Sequence, residues 1–274
     1  MKKFLTCLLL CAFLAATAYG GKLSLKFNGG GTYLLGGDYN KSMDGWRDYE
    51  KTVLGPSETF VDNLKKIGLG VQLGGELLYE LSPSLAAGIE VGFLRASVES
   101  SFSRTWHNYK MALKPTLSAV PLTLNVHYFL PVGAGLKLQA MAGAGACFFN
   151  LNYEYDIEDI YSPYSGTWKP KSKMIFGAKA GVGLELDLTA NIALTFDIVG
   201  RFAEAGDLTG DWSGNYDGTP LSGTATLFYY EIDGTYPALG LFETLTAGGH
   251  YQNIRKAKLS LSGVSALVGF KIKL

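Results

Sequence analysis

The chain has little cysteine, few charges and no long hydrophobic run past its first residues, and each shortage narrows what it can be. Of three cysteines, Cys7 and Cys11 lie at the extreme N-terminus, and only Cys147 remains beyond them. A lone thiol cannot form an internal disulfide, so no disulfide framework holds the fold. Charged residues make up 18% of the chain at zero formal net charge. No basic patch stands out that would serve a nucleic-acid backbone, so nucleic acid is not an expected partner. After the N-terminal segment no apolar stretch approaches the ~18 residues that a membrane-spanning helix needs. If the chain enters a bilayer, it must do so as a closed sheet, because open backbone edges cannot be satisfied in lipid.

What is present begins with a leader. Lys2 and Lys3 precede an apolar core, Phe4 through Ala16, and Ala16-Thr17-Ala18 follows as a small-x-small cleavage pattern. This predicts a signal peptide over 1–18, export by the general secretory pathway and one domain over 19–274. A lipoprotein reading of Leu8-Leu9-Leu10-Cys11 is weaker, since Leu10 is bulky where that processing wants a small residue. The rest is rich in Gly (35), Tyr (16) and Phe (15).

Period-two apolar alternation recurs eight times. The runs centre on Leu23–Leu35, Ile67–Leu81, Ile89–Phe93, Val120–Leu130, Leu136–Phe148, Phe176–Leu188, Ile192–Phe202 and Val264–Leu274. Most exceed the usual strand of about five or six residues and match tilted membrane strands of about nine to eleven. Their opposite faces are glycine-rich and polar. The connections alternate strictly. Ser82-Pro83-Ser84, Pro131–Gly135 and Thr189-Ala190-Asn191 are short, whereas 38–66, 99–114, 153–172 and 204–258 are long. Together these predict an all-β fold: an eight-stranded antiparallel transmembrane β-barrel with short periplasmic turns and long external loops, in the bacterial outer membrane. An eight-stranded barrel has an interior just wide enough for side chains, which fits the inward glycines.

Val120-Pro121-Leu122-Thr123-Leu124-Asn125-Val126-His127-Tyr128-Phe129, a short turn, then Ala142-Gly143-Ala144-Gly145, resembles the central hairpin of the small outer-membrane β-barrel superfamily of OmpA-, OmpX- and OmpW-type proteins. The terminal Gly269-Phe270-Lys271-Ile272-Lys273-Leu274 is similar to that family's assembly signal, ending in Leu rather than an aromatic residue. The resemblance implies outer-membrane lipid, lipopolysaccharide and the barrel-assembly machinery as partners, and for an OmpW-like member a passive conduit for small or hydrophobic solutes.

The inward register gathers Glu76, Glu80, Glu90, Glu185, Asp187 and Asp197 against Lys26, Lys137, Lys179, Arg201, Lys271 and Lys273. Buried charges are costly unless paired. The plainer expectation is therefore an ion-pair network filling the lumen, with Glu76, Glu90, Lys179, Glu185, Asp197, Arg201 and Lys271 at its centre. Within it, Arg201, Lys179, Asp197 and Glu185 are expected to cluster. The sharper alternative is a gated polar pathway. His127 is read as a satisfied core histidine. In lipid A deacylases a serine follows the strand histidine by two positions, and here that residue is Phe129. A lipid A-modifying enzyme is thus the remote alternative, and no catalytic residue is assigned.

Each long loop carries one tryptophan, Trp46, Trp106, Trp168 and Trp212, and tyrosines crowd the same segments, among them Tyr39, Tyr49, Tyr109, Tyr155, Tyr161, Tyr164, Tyr229 and Tyr230. These are read as an interfacial girdle with loop packing or, alternatively, as an aromatic surface for an external ligand or protein. Asp211-x-Ser213-x-Asn215-x-Asp217-Gly218 has the oxygen spacing of a calcium loop, but Tyr216 stands where the sharp-turn glycine belongs and Ser222 where a glutamate belongs. No metal and no cofactor is assigned. Thr224–Ile232 is read as a hairpin arm outside the membrane. The expectation is a non-enzymatic envelope protein with a plugged lumen and aromatic external loops.

Overall fold

The computed structural model describes residues 22–55, 58–105, 108–159, 163–171, 173–246 and 248–274. The expected leader, Trp106 and Tyr161 lie outside them. Sixteen strands form one antiparallel sheet, twice the number of expected runs. In chain order they are β1 (Lys22–Leu34), β2 (Phe60–Asn63), β3 (Leu69–Ser82), β4 (Leu85–Ser97), β5 (Ser100–Arg104), β6 (Tyr109–Gly133), β7 (Leu136–Glu158) and β8 (Tyr164–Pro170). They continue with β9 (Lys173–Asp187), β10 (Ile192–Ala205), β11 (Thr209–Tyr216), β12 (Thr219–Ile232), β13 (Tyr236–Phe242), β14 (Tyr251–Lys256), β15 (Leu259–Ser260) and β16 (Gly263–Lys273). One helix, α1 (Asp38–Val53), lies between β1 and β2. The segment expected as a long loop over 38–66 is therefore largely helical.

Eight strands pair in a ring: β1–β3–β4–β6–β7–β9–β10–β16 and back to β1. Following partners around it, Lys26 faces Glu76, then Glu90, Thr123, Gly145, Gly177 and Ala203. Leu261 donates to the Ala203 carbonyl, and the extension of the β16–β1 register brings the path back at Gly36, ten residues along β1 from its start. The ring is staggered, as a closed twisted sheet must be.

β6 and β7 outgrow the ring and carry a second tier. Their far ends pair from Lys110↔Glu158 downward. On the β7 side, β8, β11, β12 and β13 add in turn; on the β6 side, β5 and β2 add. The expected hairpin arm over 224–232 lies in β12, paired on both sides. The calcium-like series is β11 and a two-residue turn, with Asp217 at φ 46° and Gly218 at φ 77°. A strand with a tight turn, not a curled ligand loop, is what those residues build.

The apolar face changes sides between the tiers. Along β6, Val120, Leu122, Leu124, Val126, Tyr128 and Leu130 point outward and are exposed, Leu124 at 66%. From Ala119 upward the apolar residues point inward instead: Leu117, Leu113 and Met111 are buried, while Ala112 and Lys114 face out. β7 makes the same exchange at Phe148, 39% exposed, and Phe149, 1% exposed. Above that point Leu151, Tyr153 and Tyr155 are buried and Glu154 and Asp156 exposed. The ring is polar inside and apolar outside; the second tier is the reverse.

Helix α1 closes the top. Gly36 and Gly37, at φ 69° and 63°, turn the chain off β1 in a backbone region that side chains disfavour. Tyr39, Ser42, Met43 and Trp46 then share one face at helical spacing, and Tyr39 and Met43 are each 1% exposed. Burial of such side chains contributes about 1.5–3 kcal/mol each. Gly45 lets the helix cross β13 closely: a Cβ there would lie 2.0 Å from the Pro237 carbonyl oxygen. The Asn40 amide donates to the carbonyls of Leu35 (2.7 Å) and Ile67 (2.8 Å) and accepts from the Ile67 N–H (2.8 Å), stitching α1 to both neighbouring strands.

Candidate functional site

Two regions carry the chemistry: the polar interior of the ring and an apolar cavity in the second tier. Near the short-turn end, Lys271 contacts Glu185 at 3.1 Å and Glu80 at 3.4 Å. Lys137 bridges Glu185 (3.0 Å) and Asp187 (3.5 Å), and Lys273 pairs with Asp187 at 2.6 Å. The Lys271 ammonium also lies 4.7 Å over the Phe129 ring.

At mid-height, Glu76 accepts from Asn125 (2.6 Å) and meets His127 Nε2 at 2.8 Å. His127 is fully buried, its other nitrogen 2.8 Å from the Gln139 amide. Asn125 also donates to Glu90 at 3.0 Å, and Lys179 pairs with Glu90. Lys26 pairs with Asp197 at 2.8 Å, both nearly inaccessible. Inward glycines leave room for these groups: a Cβ at Gly88, Gly143 or Gly183 would fall 2.3, 2.1 or 2.3 Å from Glu76, Asn125 or Asp197 oxygens.

The expected cluster of Arg201, Lys179, Asp197 and Glu185 does not form. Asp197 goes to Lys26, Glu185 to Lys137 and Lys271, and Lys179 to Glu90. Arg201 is held by neutral acceptors: Gln72 Oε1 (3.0 Å), Thr32 Oγ1 (3.2 Å), Ser265 Oγ (3.4 Å) and the Leu261 carbonyl (3.2 Å). Arg201 stands four residues beyond Asp197 on β10 and opposite Lys179, six residues past the level of Glu185, so both carboxylates are out of its reach. The stagger instead brings Lys26 of β1 level with Asp197 across β16. A cavity of about 30 Å³ lies beside Arg201, Lys179, Glu90 and Cys147, room for roughly one water.

Above Arg201 the interior becomes apolar. Leu34, Leu94, Leu117, Phe149 and Ile175 fill the mouth of the ring, and α1 lies over them in the same core. Asp38, at the start of α1, is clamped by Arg255 (2.6 and 2.8 Å) and by the Lys258 N–H (2.8 Å). Burial opposes its charge, but these bonds outweigh burial and hold its carboxyl below the ordinary value. At the far end, Glu50 pairs with Arg104 at 3.1 Å; burial outweighs that pair and raises its pKa.

Between α1 and the walls of the second tier lies a cavity of about 420 Å³. Met43 and Trp46 form its helical side; Met111, Leu113, Tyr153 and Tyr155 come from the tops of β6 and β7, and Tyr164, Trp212, Leu227 and Leu239 from β8, β11, β12 and β13. Trp46 and Trp212 thus line the cavity rather than the outer surface. Trp168 is not a surface residue: it is fully buried, its indole donating to the Gly210 and Ala225 carbonyls at 3.2 Å each. Sequence reading missed Tyr153 and Met43, and took Tyr155 and Tyr164 for loop aromatics. Their signal was present, as the inward alternation Phe149–Leu151–Tyr153–Tyr155 and the helical spacing Tyr39–Met43–Trp46.

No family model matches the chain, and no curated protein matches it. Several solved structures resemble it. Among them is a major outer membrane protein from Thermus thermophilus, 14% identical with a TM-score of 0.43, covering 93% of this chain and 99% of that one. Another is the outer membrane protease OmpT from Escherichia coli, 6% identical with a TM-score of 0.38, covering 93% and 96%. Both are outer-membrane proteins.

Proposed function

We propose that the ring is an eight-stranded barrel crossing the outer membrane of a diderm bacterium, and that its lumen is closed. The exchange of apolar faces at Val120 and Phe148 carries this reading. Below it, a polar interior and an apolar exterior suit lipid; above it, an apolar core and a polar exterior suit water. A ten-residue stagger on eight strands tilts them by about 40°. Val120 to Leu130 then covers ~34 Å of strand and ~26 Å of height, against about 25 Å for the apolar band of such barrels. A contiguous exposed apolar belt of this kind, including Leu69 at 80% and Phe176 at 75%, is foreign to a soluble monomer.

In this reading the leader over 1–18 directs export and 19–274 forms a single domain. The short turns face the periplasm and the second tier faces outside, in contact with lipopolysaccharide. The C-terminal Gly269–Leu274 strand meets the assembly machinery. Closure rests on two stacked obstructions: the charge network from Lys273 up to Lys179, and the apolar stopper capped by α1. The role in this reading is non-enzymatic, in envelope structure or surface interaction. His127 is occupied by Glu76 and Gln139, which leaves it without a catalytic hydroxyl partner among the described residues. Planar-bilayer recording separates this from a passive conduit: the purified protein should give no steady conductance steps, and steady open-channel current would favour the conduit.

A further inference from the structure

The second-tier cavity has the features of a ligand site. Its lining is almost wholly apolar and aromatic, and its volume, about 420 Å³, falls within the range of small-molecule pockets. At roughly 30 Å³ per water it would hold about 14 waters, or a ligand of about that many heavy atoms.

Its polar groups are mostly committed. Tyr155 donates to the Tyr164 hydroxyl at 3.1 Å, and Ser42 to the Tyr39 carbonyl at 2.8 Å. Tyr153 differs. It is 9% exposed and lines the cavity, yet its hydroxyl makes no hydrogen bond among the described residues. A phenol facing an apolar cavity gains from a ligand acceptor that takes the place of its water. No Lys, Arg or His lines the cavity, and the one carboxylate, Glu243, is exposed. An anionic ligand would thus find no counter-charge and meet Glu243.

We propose that this cavity binds an uncharged apolar molecule carrying one hydrogen-bond acceptor, which Tyr153 recognises by donating its hydroxyl proton. The site builds on the reading of the second tier as the external face, but not on closure of the lumen, so bilayer recording and the binding test fail separately.

The test uses full-length mature protein in lipid nanodiscs, free of detergent, with 1-acetonaphthone and the similarly sized hydrocarbon 1-ethylnaphthalene as probes. Trp46 and Trp212 report occupancy through quenching of their fluorescence. Both probes should quench saturably, the ketone with about five- to tenfold higher affinity, as one neutral hydrogen bond allows. Tyr153→Phe should bring the ketone down to the hydrocarbon and leave the hydrocarbon unchanged. Leu239→Phe, which narrows the cavity, should weaken both, with the heat-modifiable band on gels showing that each variant is folded. Unsaturable quenching indifferent to both variants would mean uptake by the bilayer alone and overturn the site. Equal affinities with a silent Tyr153→Phe would overturn the role of Tyr153. Binding seen only after delipidation would assign the cavity to an acyl tail, and also overturn the proposal.

Discussion

Replacing Lys179 with Met is the sharpest test of the closed lumen. Lys179 is the cationic partner of Glu90, and both side chains are under 10% exposed. Without it, Glu90 keeps the Asn125 amide, which it already shares with Glu76. Two carboxylates would then divide one neutral donor, with His127 serving only Glu76. Leaving a buried charge unpaired costs about 3–5 kcal/mol. With a guanidinium m-value of roughly 3 kcal/mol per molar, the unfolding midpoint should fall by about 1–1.7 M. Loss of the heat-resistant folded band on unboiled gels, followed across a denaturant series, measures it. The double variant Lys179→Met/Glu90→Gln should recover most of the loss, because an amide can share hydrogen bonds with Asn125 without a charge to neutralise. A single variant within about 0.3 M of wild type, or a double variant no better than the single one, would refute the reasoning.

Arg201→Ala should cost less than Lys179→Met in the same assay, since its acceptors keep each other: the Ser265 hydroxyl donates to Gln72 Oε1 (2.8 Å) and lies 2.9 Å from the Thr32 hydroxyl, which can donate to it. Acid should release α1. The Asp38 carboxyl is held below its unfolded value of 3.8, so its contribution is complete above roughly pH 4 and is lost as pH falls through the lower folded-state value. Glu50 shifts the opposite way, so its protonation in acid does not loosen the far end of the helix. Asp38→Asn should lower stability at pH 7 by about 1–2 kcal/mol, discounted for the partial exposure of Arg255, and flatten the acid limb of the near-ultraviolet dichroism. Gly45→Ala places a methyl group against the Pro237 backbone; it should shift Trp46 emission to longer wavelength as α1 lifts, while the heat-modifiable band persists.

The ring was legible because each of its strands is amphipathic against lipid, so the period-two signal runs ten residues or more in segments such as Val120–Leu130 and Phe176–Leu188. The second tier was not. Most of its strands are short and mixed, as in Ser100–Arg104 and Tyr164–Pro170, and stand only because neighbours pair with them. Helix α1 has a three-residue apolar stripe, Tyr39–Met43–Trp46, set among charges and a glycine, so the segment read as a loop. In the lumen, alternation showed which residues face inward, but not their height or bearing around the ring. The bearing depends on the stagger, a property of the closed ring and of no single strand; it is why Lys26 of β1 reaches Asp197 across β16. The exchange of faces at Ala119/Val120 and Phe148/Phe149 was available in the sequence, and marks where each strand leaves the belt.

That exchange also allows the most direct measurement of the membrane assignment. In a Cys147→Ala background, Ala112→Cys and Leu124→Cys place thiols on the same outward face of β6, above and within the proposed belt. In intact cells a membrane-impermeant maleimide should label Ala112→Cys quickly and leave Leu124→Cys unmodified until the membrane is dissolved. Equal labelling of the two positions in intact cells would mean that the apolar face of the ring meets water, and would contradict the assignment.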